Sequence, residues 1–200
     1  ALLLQAYSLH RAKQRNRAIL LYRELLDFHA EHAEDAAPAL YLMARAQIDN
    51  GNVKTGYRLL QELVDNQDYL AHPLADVALN ELAGRHMRQG EPKQAENCWL
   101  QVLDLYEAAF IRPQQAAGVA RRNLMDLYLV EGRYSSIESL FERGEGRREP
   151  LNQADAVYGR GMAVLNRMDE DARRSFMRWF RGQREVYAGA GREDDFLNKA

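Results

Sequence analysis

The sequence lacks the features of disulfide-bonded, membrane-spanning and nucleic-acid-binding proteins. Its 200 residues include one cysteine, so no disulfide can form within the chain. No apolar run approaches the roughly 20 residues that a membrane-spanning helix requires. The 27 lysines and arginines are balanced by 29 aspartates and glutamates, which gives a formal net charge of −2. A nucleic-acid partner is therefore not expected.

The composition that remains is typical of a folded globular chain, with 46% hydrophobic and 28% charged residues. Arginine supplies almost all of the positive charge, a preference typical of a GC-rich bacterial genome. The opening Ala-Leu-Leu-Leu is too short for the core of a signal peptide, and the chain lacks an initiator methionine. We therefore expect a piece of a longer protein. A cytoplasmic location is favoured, and an envelope-associated one stays open if the full chain carries a signal or an anchor.

No arrangement of residues points to catalysis, so we do not expect an enzyme. The serines stand outside any nucleophile-elbow context, and the glycine pairs lack the spacing of phosphate-binding loops. Cys98 is expected to be a buried, inert thiol, since reactive cysteines need an exposed electropositive setting. For His29 and His32, a solvated helix end is favoured over a metal site because no cysteine or third histidine is near in sequence. We predict no catalytic residue, metal ligand or cofactor.

The stretch LNELAGRHMRQGEPKQAENCWLQVLDLY, residues 79–106, is one copy of an internal repeat. When Gly90 is aligned with Gly132, the residues around it match as well. The matched pairs are Val77 with Val119, Ala78 with Ala120, Leu82 with Leu124, Ala95 with Ile137, and Trp99 with Phe141. Three further copies keep nearly the same spacing, the last more loosely. Their residues at the corresponding positions are Ala44, Gly51, Gly56 and Leu60; Ala6, Lys13, Ala18 and Tyr22; and Arg167, Ala172 and Phe176.

Each position of the repeat has a physical reason. Leu79, Leu82, Ala83 and Met87 recur at steps of three and four, which is one face of a helix. A glycine follows because a helix C-terminus favours a residue that tolerates positive φ. A proline soon after the glycine, Pro92, suits the first turn of a second helix, where no amide donor is lost. The pattern therefore predicts a row of helix hairpins.

Small and large residues alternate along the second helices. Ala95 and its equivalents let each second helix approach the first closely. Trp99, one turn later, and its large equivalents fill the space against the next hairpin. No hairpin can bury its apolar faces alone, so neighbouring hairpins must stack. This alternation predicts that Trp99 is buried.

A small residue, a glycine, an alanine and an aromatic residue in this order resemble the tetratricopeptide repeat (TPR). The longer spacing, with HPLADVALNELA before the turn, resembles the kinesin light chain style of that family. The resemblance implies an all-α solenoid of about five stacked antiparallel hairpins in a right-handed superhelix. About four hairpins fall in 1–145. A fifth, degenerate hairpin or cap with a polar tail falls in 146–200.

The expected helices follow from the apolar periodicity and its breaks. They lie near 1–14, 16–32, 37–50, 53–66, 73–89, 92–111, 114–131, 134–143, 151–167 and 170–188. The segment ERGEGRREP, residues 142–150, is the expected irregular joint because it carries glycine, proline and like charges. Asp169, Glu170 and Asp171 are expected at a helix start, where acidic residues complement the helix dipole.

The TPR resemblance also implies that the first helices line a concave groove in which a partner peptide lies. The candidate groove residues are Tyr41, Arg45, Asn80, Arg122, Asn123 and Asp126. Asn80 and Asn123 fall where kinesin light chain-like repeats carry asparagines that hold the backbone of a peptide. For each candidate the alternative is ordinary surface or packing between repeats.

These observations favour a non-enzymatic scaffold that binds a protein or a peptide and belongs to a larger chain. One alternative is the regulatory or targeting arm of a larger enzyme, transcription regulator or envelope-assembly protein. Another is self-association through the ends of the solenoid, because Leu2, Leu3 and Leu4 leave an apolar end and terminal repeats need polar caps. The arginines of the second half are compatible with an anionic peptide or a charged partner surface.

Overall fold

A computed structural model of the chain describes residues 2–29, 32–108, 114–133, 135–137, 139–140, 168–172, 174–175 and 178. The regular secondary structure in these residues is entirely helical. Eight helices have defined bounds: α1 Leu2–Arg11, α2 Arg15–His29, α3 Ala33–Asp49, α4 Val53–Asp65, α5 Gln67–Leu70, α6 Leu74–Arg88, α7 Pro92–Ala108 and α8 Gln114–Val130. The predicted all-α fold is confirmed.

The bounds of most helices agree with the predicted ones, and α3 is the main correction. It was expected to begin at residue 37, but it begins at Ala33 and contains Pro38. The carbonyl of His32 accepts hydrogen bonds from the amides of Asp35 and Ala36, at 3.0 and 2.8 Å, and so starts the helix one turn before the proline. Pro38 is tolerated near the start of the helix because few backbone bonds there depend on its missing amide.

Four turns of the chain share one geometry. Gly51, Gly90 and Gly132 have φ values of +88°, +74° and +69°, and Lys13 takes the same conformation with φ +62°. In each turn the next amide bonds back to a carbonyl five residues earlier, as in Glu91 to His86 at 2.9 Å. This is the Schellman pattern that closes a helix C-terminus. The predicted equivalence of Lys13 with the glycines is therefore confirmed.

The helices pack as consecutive antiparallel pairs. The helix α1 contacts α2, α3 contacts α4, and α6 contacts α7, which gives three hairpins. Adjacent hairpins stack through α2 against α3 and α4 against α6, while the first helices α1, α3 and α6 contact one another in sequence. The largest fully buried side chains of these hairpins are Tyr22, Leu40, Leu60, Leu63, Leu79, Leu82 and Leu103.

The short helix α5 is missing from the predicted elements. The Asn66 side chain accepts a hydrogen bond from the Asp68 amide at 2.9 Å and caps its start. Tyr69 and Leu70 are buried, and α5 contacts α3, α4 and α6. The connection between the second and third hairpins is thus a packed element rather than an open loop.

The chain divides into two compact units, Ala1–Asn123 and Leu124–Ala200, and the division falls within α8. In the second unit Leu124 and Ile137 are buried. Near its far end a helix starts at residue 170, where the Asp169 carboxylate accepts a hydrogen bond from the Ala172 amide at 2.8 Å. The predicted acidic helix start is confirmed.

Several predictions fall outside the described residues. They are the domain boundary at 145, the irregular joint 142–150, the helix 151–167, most of the helix 170–188, and the large residues Phe141 and Phe176 of the repeat pattern.

Candidate functional site

The candidate groove residues of the first unit lie on the first helices of successive hairpins. Tyr41 and Arg45 stand one turn apart on α3, and Asn80 lies on α6. Because α3 contacts both α1 and α6, side chains on these three helices can reach across from one hairpin to the next. We call the set Tyr41, Arg45, Asn80, Glu81, Arg122 and Asn123 the first-helix surface.

Glu81 joins two of the predicted residues. Its Oε1 accepts a hydrogen bond from the Tyr41 hydroxyl at 2.7 Å and another from Arg45 Nη1 at 2.8 Å. The side chains of Arg45 and Glu81 are 41% and 21% exposed, so the contact is partly shielded from water. One carboxylate therefore ties α3 to α6, and the sequence alone did not single it out.

This arrangement shifts the pKa values of both partners of Glu81. Burial, with the hydrogen bond to Glu81 and its charge, raises the pKa of Tyr41 well above its ordinary value. For Arg45, burial is the largest single influence and lowers the pKa. The charge and hydrogen bond of Glu81, together with the charges of Tyr41 and Asp49, outweigh it, so the pKa rises. At neutral pH the tyrosine is neutral and the arginine charged, and both donate to the carboxylate.

Asn80 makes a different contact between hairpins. Its Nδ2 donates to the carbonyl of Asp76 at 3.0 Å, in the preceding turn of α6, and to the carbonyl of Ala116 in α8 at 3.1 Å. An amide nitrogen has two hydrogens, so both are used. Its Oδ1 is buried and accepts no hydrogen bond from the described residues. Asn80 therefore joins the start of α8 to α6, which corresponds to the alternative of packing between repeats.

The remaining candidates lie on α8. Arg122 is exposed and Asn123 is half-buried at the end of the first unit. Asp126 is exposed and belongs to the second unit. The structure thus brings Tyr41 and Arg45 together through Glu81, while Asn80 contacts α8 instead.

The first hairpin continues the pattern of contacts between first helices. His10 Nε2 on α1 lies 3.0 Å from Asp49 Oδ2 on α3. On the same helix Leu4 is 72% exposed and Tyr7 is 41% exposed. By repeat spacing Tyr7 occupies the position of Arg45. The surface of α1 is therefore more apolar than that of α3 or α6.

Several solved structures share this architecture. One is a variant of a protein of Podosopora anserina designated a kinesin light chain, with nearly identical TPR-like repeats. Its TM-score is 0.54 at 18% identity, over 96% of this chain and 95% of that one. The chain has the fold of TPR-like helical repeats. A second structure of the same description has a TM-score of 0.51 at 18% identity, over 92% of this chain and 94% of that one. No protein-family model and no curated protein matches the sequence.

The other candidate groups of this TPR-like chain are placed as follows. Cys98 is half-buried rather than fully buried, and burial raises the pKa of its thiol, which keeps the reactive thiolate scarce. His32 is exposed, and the side chain of His29 lies outside the described residues. Within those residues no cluster of His, Cys, Asp and Glu is arranged to hold a metal ion. No helix in the same part of the chain could span a membrane.

Proposed function

We propose that this chain is a scaffold that binds a protein or a peptide across the first helices of its TPR-like hairpins. The observation that carries the proposal is the Tyr41–Glu81–Arg45 contact. It fixes the first helices of two hairpins side by side, yet leaves a charged guanidinium 41% exposed on their shared face. A preorganised, partly exposed polar group is what a partner can contact without an ordering cost.

The proposed roles of the individual residues follow from what each side chain already does. Both amide hydrogens of Asn80 are engaged, so we assign Asn80 to packing rather than to the partner. Arg45 and Arg122 can still donate to a partner, since guanidinium carries five hydrogens. Leu4 and Tyr7 offer apolar area on α1. Asn123 is a further proposed contact on α8, and Asp126, in the second unit, is proposed as a separate one.

The test is a selection of binding peptides from a random library, followed by affinity measurements on variants. Arg45→Ala combined with Arg122→Ala is expected to weaken the selected peptides about tenfold or more, the loss typical of charge-assisted hydrogen bonds. The matched control is Arg58→Ala, which removes an exposed arginine on the second helix α4 that pairs with Glu62 at 3.6 Å. Equal losses in the control and the double variant would remove the first-helix surface from the proposal.

Self-association is a second candidate, favoured by the exposed apolar side chains of the first hairpin. Leu4, Leu20 and Phe28 are 72%, 61% and 76% exposed. Sedimentation equilibrium should then show a dimer or larger species that Leu20→Glu with Phe28→Glu converts to a monomer. A monomer at high concentration in the unchanged protein excludes this candidate.

A further inference from the structure

Two arginines at the end of α6 converge on one tyrosine of the preceding hairpin. The Cζ atom of Arg85 lies 4.7 Å from the centre of the Tyr57 ring. Arg88, one turn further along the helix, donates from Nη2 to the Tyr57 hydroxyl at 2.7 Å. Tyr57 is buried in α4, so both guanidinium groups are held against a fixed side chain.

These two positive charges have no carboxylate partner within ion-pair distance among the described residues. The acidic residues that are near in sequence or on the facing helix are engaged elsewhere. Glu81 accepts from Tyr41 and Arg45, Glu91 pairs with His86 at 2.7 Å, and Glu62 pairs with Arg58. Both guanidinium groups contact the same Tyr57 side chain, Arg85 over its ring and Arg88 at its hydroxyl. Two guanidiniums without a carboxylate partner are therefore held at one side chain.

Gly84 lies beside the Arg88 side chain. A Cβ atom added there would have Nη1 of Arg88 at 3.6 Å, which is ordinary van der Waals contact. In the preceding hairpin, the matching position carries Arg45, whose side chain spans to the next helix. The Arg88 guanidinium therefore lies over Gly84, close to the surface of α6.

We propose that Arg85 and Arg88 form a binding site for a phosphoryl group. A phosphoryl group carries about 1.5 to 2 negative charges near neutral pH and three acceptor oxygens, which suits two arginines. Guanidinium groups donate in a planar fork that matches such oxygens. Tyr57 acts as a positioning residue, since its ring and hydroxyl hold the two side chains in place.

The contacts to Tyr57 distinguish this site from an ordinary helix end. The last turn of a helix attracts cations because its carbonyls are partly negative, and Arg85, His86 and Arg88 all lie there. That attraction does not explain why Arg85 and Arg88 both contact Tyr57 while His86 pairs with Glu91. It also opposes an anion, so the affinity for free phosphate is expected to be weak, with a Kd of about 1 mM.

Inorganic phosphate is the first probe, titrated into the intact chain and followed by NMR of the arginine side chains. Arg85→Ala and Arg88→Ala are each expected to weaken binding about tenfold, while Arg17→Ala, at an exposed position of α2, leaves it unchanged. Arg85→Lys and Arg88→Lys keep the charge but lose the fork, and should bind with intermediate affinity. Circular dichroism and thermal melting identify any variant that fails to fold. Phosphate binding that is absent, or equal in all folded variants, overturns the proposal.

A second arm separates the sources of the phosphoryl group. A short phosphoserine peptide and its serine counterpart are compared with inorganic phosphate on the same variants. If the phosphopeptide binds more tightly than inorganic phosphate, and Arg88→Ala abolishes that difference, the phosphoryl group belongs to a protein partner. That assignment rests on the proposed function. Equal binding of phosphopeptide and free phosphate supports the site with a small anion as its occupant. Because the phosphate arm needs no partner, it can succeed even where the peptide selection fails.

Discussion

The hairpins α3/α4 and α6/α7 have the same plan but reach it with different residues. Where the second helix meets the first, α4 carries Gly56 and α7 carries Ala95. One turn later α4 buries Leu60 and α7 buries the much larger Trp99. Both members of the pair are larger in the second hairpin, where Ala95 replaces Gly56 and Trp99 replaces Leu60. The repeat thus preserves the fit between helices rather than the identity of its residues.

The difference at the first of these positions is a matter of one carbon atom. A Cβ atom on Gly56 would lie 2.7 Å from the carbonyl oxygen of Ala44 and would also overlap the side chain of Ile48. Ala95 already has its methyl group and is fully buried. The paired helices of the α3/α4 hairpin therefore approach too closely at this point for any side chain.

The largest expected effect comes from removing the bulky member of the second pair. Trp99→Ala should lower the free energy of unfolding by about 3–5 kcal/mol, because it leaves a cavity in a packed core. Leu60→Ala should cost about 2–5 kcal/mol for the same reason. Urea denaturation measures both. The Trp99 indole nitrogen is buried without an acceptor among the described residues, which favours the lower half of its range.

A matched exposed residue provides the control for these two variants. Val130→Ala removes a side chain that is 88% exposed and should change stability by less than about 0.5 kcal/mol. A loss at Trp99 as small as the one at Val130 would contradict the interpretation that Trp99 fills the contact between hairpins.

The first hairpin extends the comparison, because Tyr22 stands where Leu60 and Trp99 stand. Burial, and to a smaller extent the charge of Tyr7, raises the pKa of Tyr22 from 10.0 to about 12. The unfolded chain then loses its proton at a lower pH than the folded one. Keeping the Tyr22 proton therefore favours the folded state fully below pH 10. As the pH rises from about 10 to 12, the free energy of unfolding falls by about 3 kcal/mol.

Tyr22→Phe isolates this contribution from those of the other tyrosines. Denaturation series between pH 8 and pH 11.5 should show a shallower alkaline loss for the variant. Near pH 8 the variant should be as stable as the parent or slightly more so, since the buried hydroxyl has no partner among the described residues. If the free energy of unfolding falls with pH equally in both proteins, Tyr22 has the same pKa in the folded and the unfolded chain, and the prediction is wrong.

An exchange between the two hairpins sharpens the comparison at Gly56 and Ala95. In an open helix Gly→Ala stabilises by about 0.5–1 kcal/mol. Gly56→Ala should instead destabilise by about 1–3 kcal/mol, because the added methyl forces the carbonyl of Ala44 to move. Ala95→Gly should also destabilise, by roughly 1–2 kcal/mol, through lost helix propensity and a lost buried methyl. Thermal and urea unfolding give the sign, and a stabilising Gly56→Ala is the result that would refute the close approach.

The sequence was sufficient for features that depend on short-range spacing. The helix periodicity, the left-handed turn at Gly90 and the start of α7 at Pro92 are written in neighbouring residues. The equivalence of Lys13 with the turn glycines also followed from spacing, although a lysine gives no local signal for positive φ. These features could be predicted because a helix and its cap are formed by residues within one or two turns.

The features that could not be predicted depend on how hairpins meet. In the sequence Glu81 is one acidic residue of α6 among others. Nothing near it indicates that Tyr41 and Arg45 donate hydrogen bonds to its carboxylate. For Asn80 the sequence left a partner contact and packing between repeats open, and spacing alone could not show that the Ala116 carbonyl accepts a hydrogen bond from its amide. The four-residue helix α5 is too short to show a helical period. Spacing thus predicts the elements, while the contacts between them follow from packing.

The smallest expected effect concerns the turn of the first hairpin, where Lys13 occupies the position of Gly51 and Gly90. A residue with a Cβ atom pays about 1–2 kcal/mol for left-handed φ, whereas glycine adopts it freely but loses more entropy on folding. Lys13→Gly should therefore stabilise the chain by about 0.5–1 kcal/mol, and Gly90→Ala should destabilise it by a similar amount. Thermal unfolding of both variants measures the two changes in stability. Arg23→Gly, at an exposed position in the middle of α2, is the control, because glycine there should cost about 1 kcal/mol. A Lys13→Gly variant as destabilised as the control would show that the turn does not require a left-handed residue, and the equivalence of the four turns would then fail at the first hairpin.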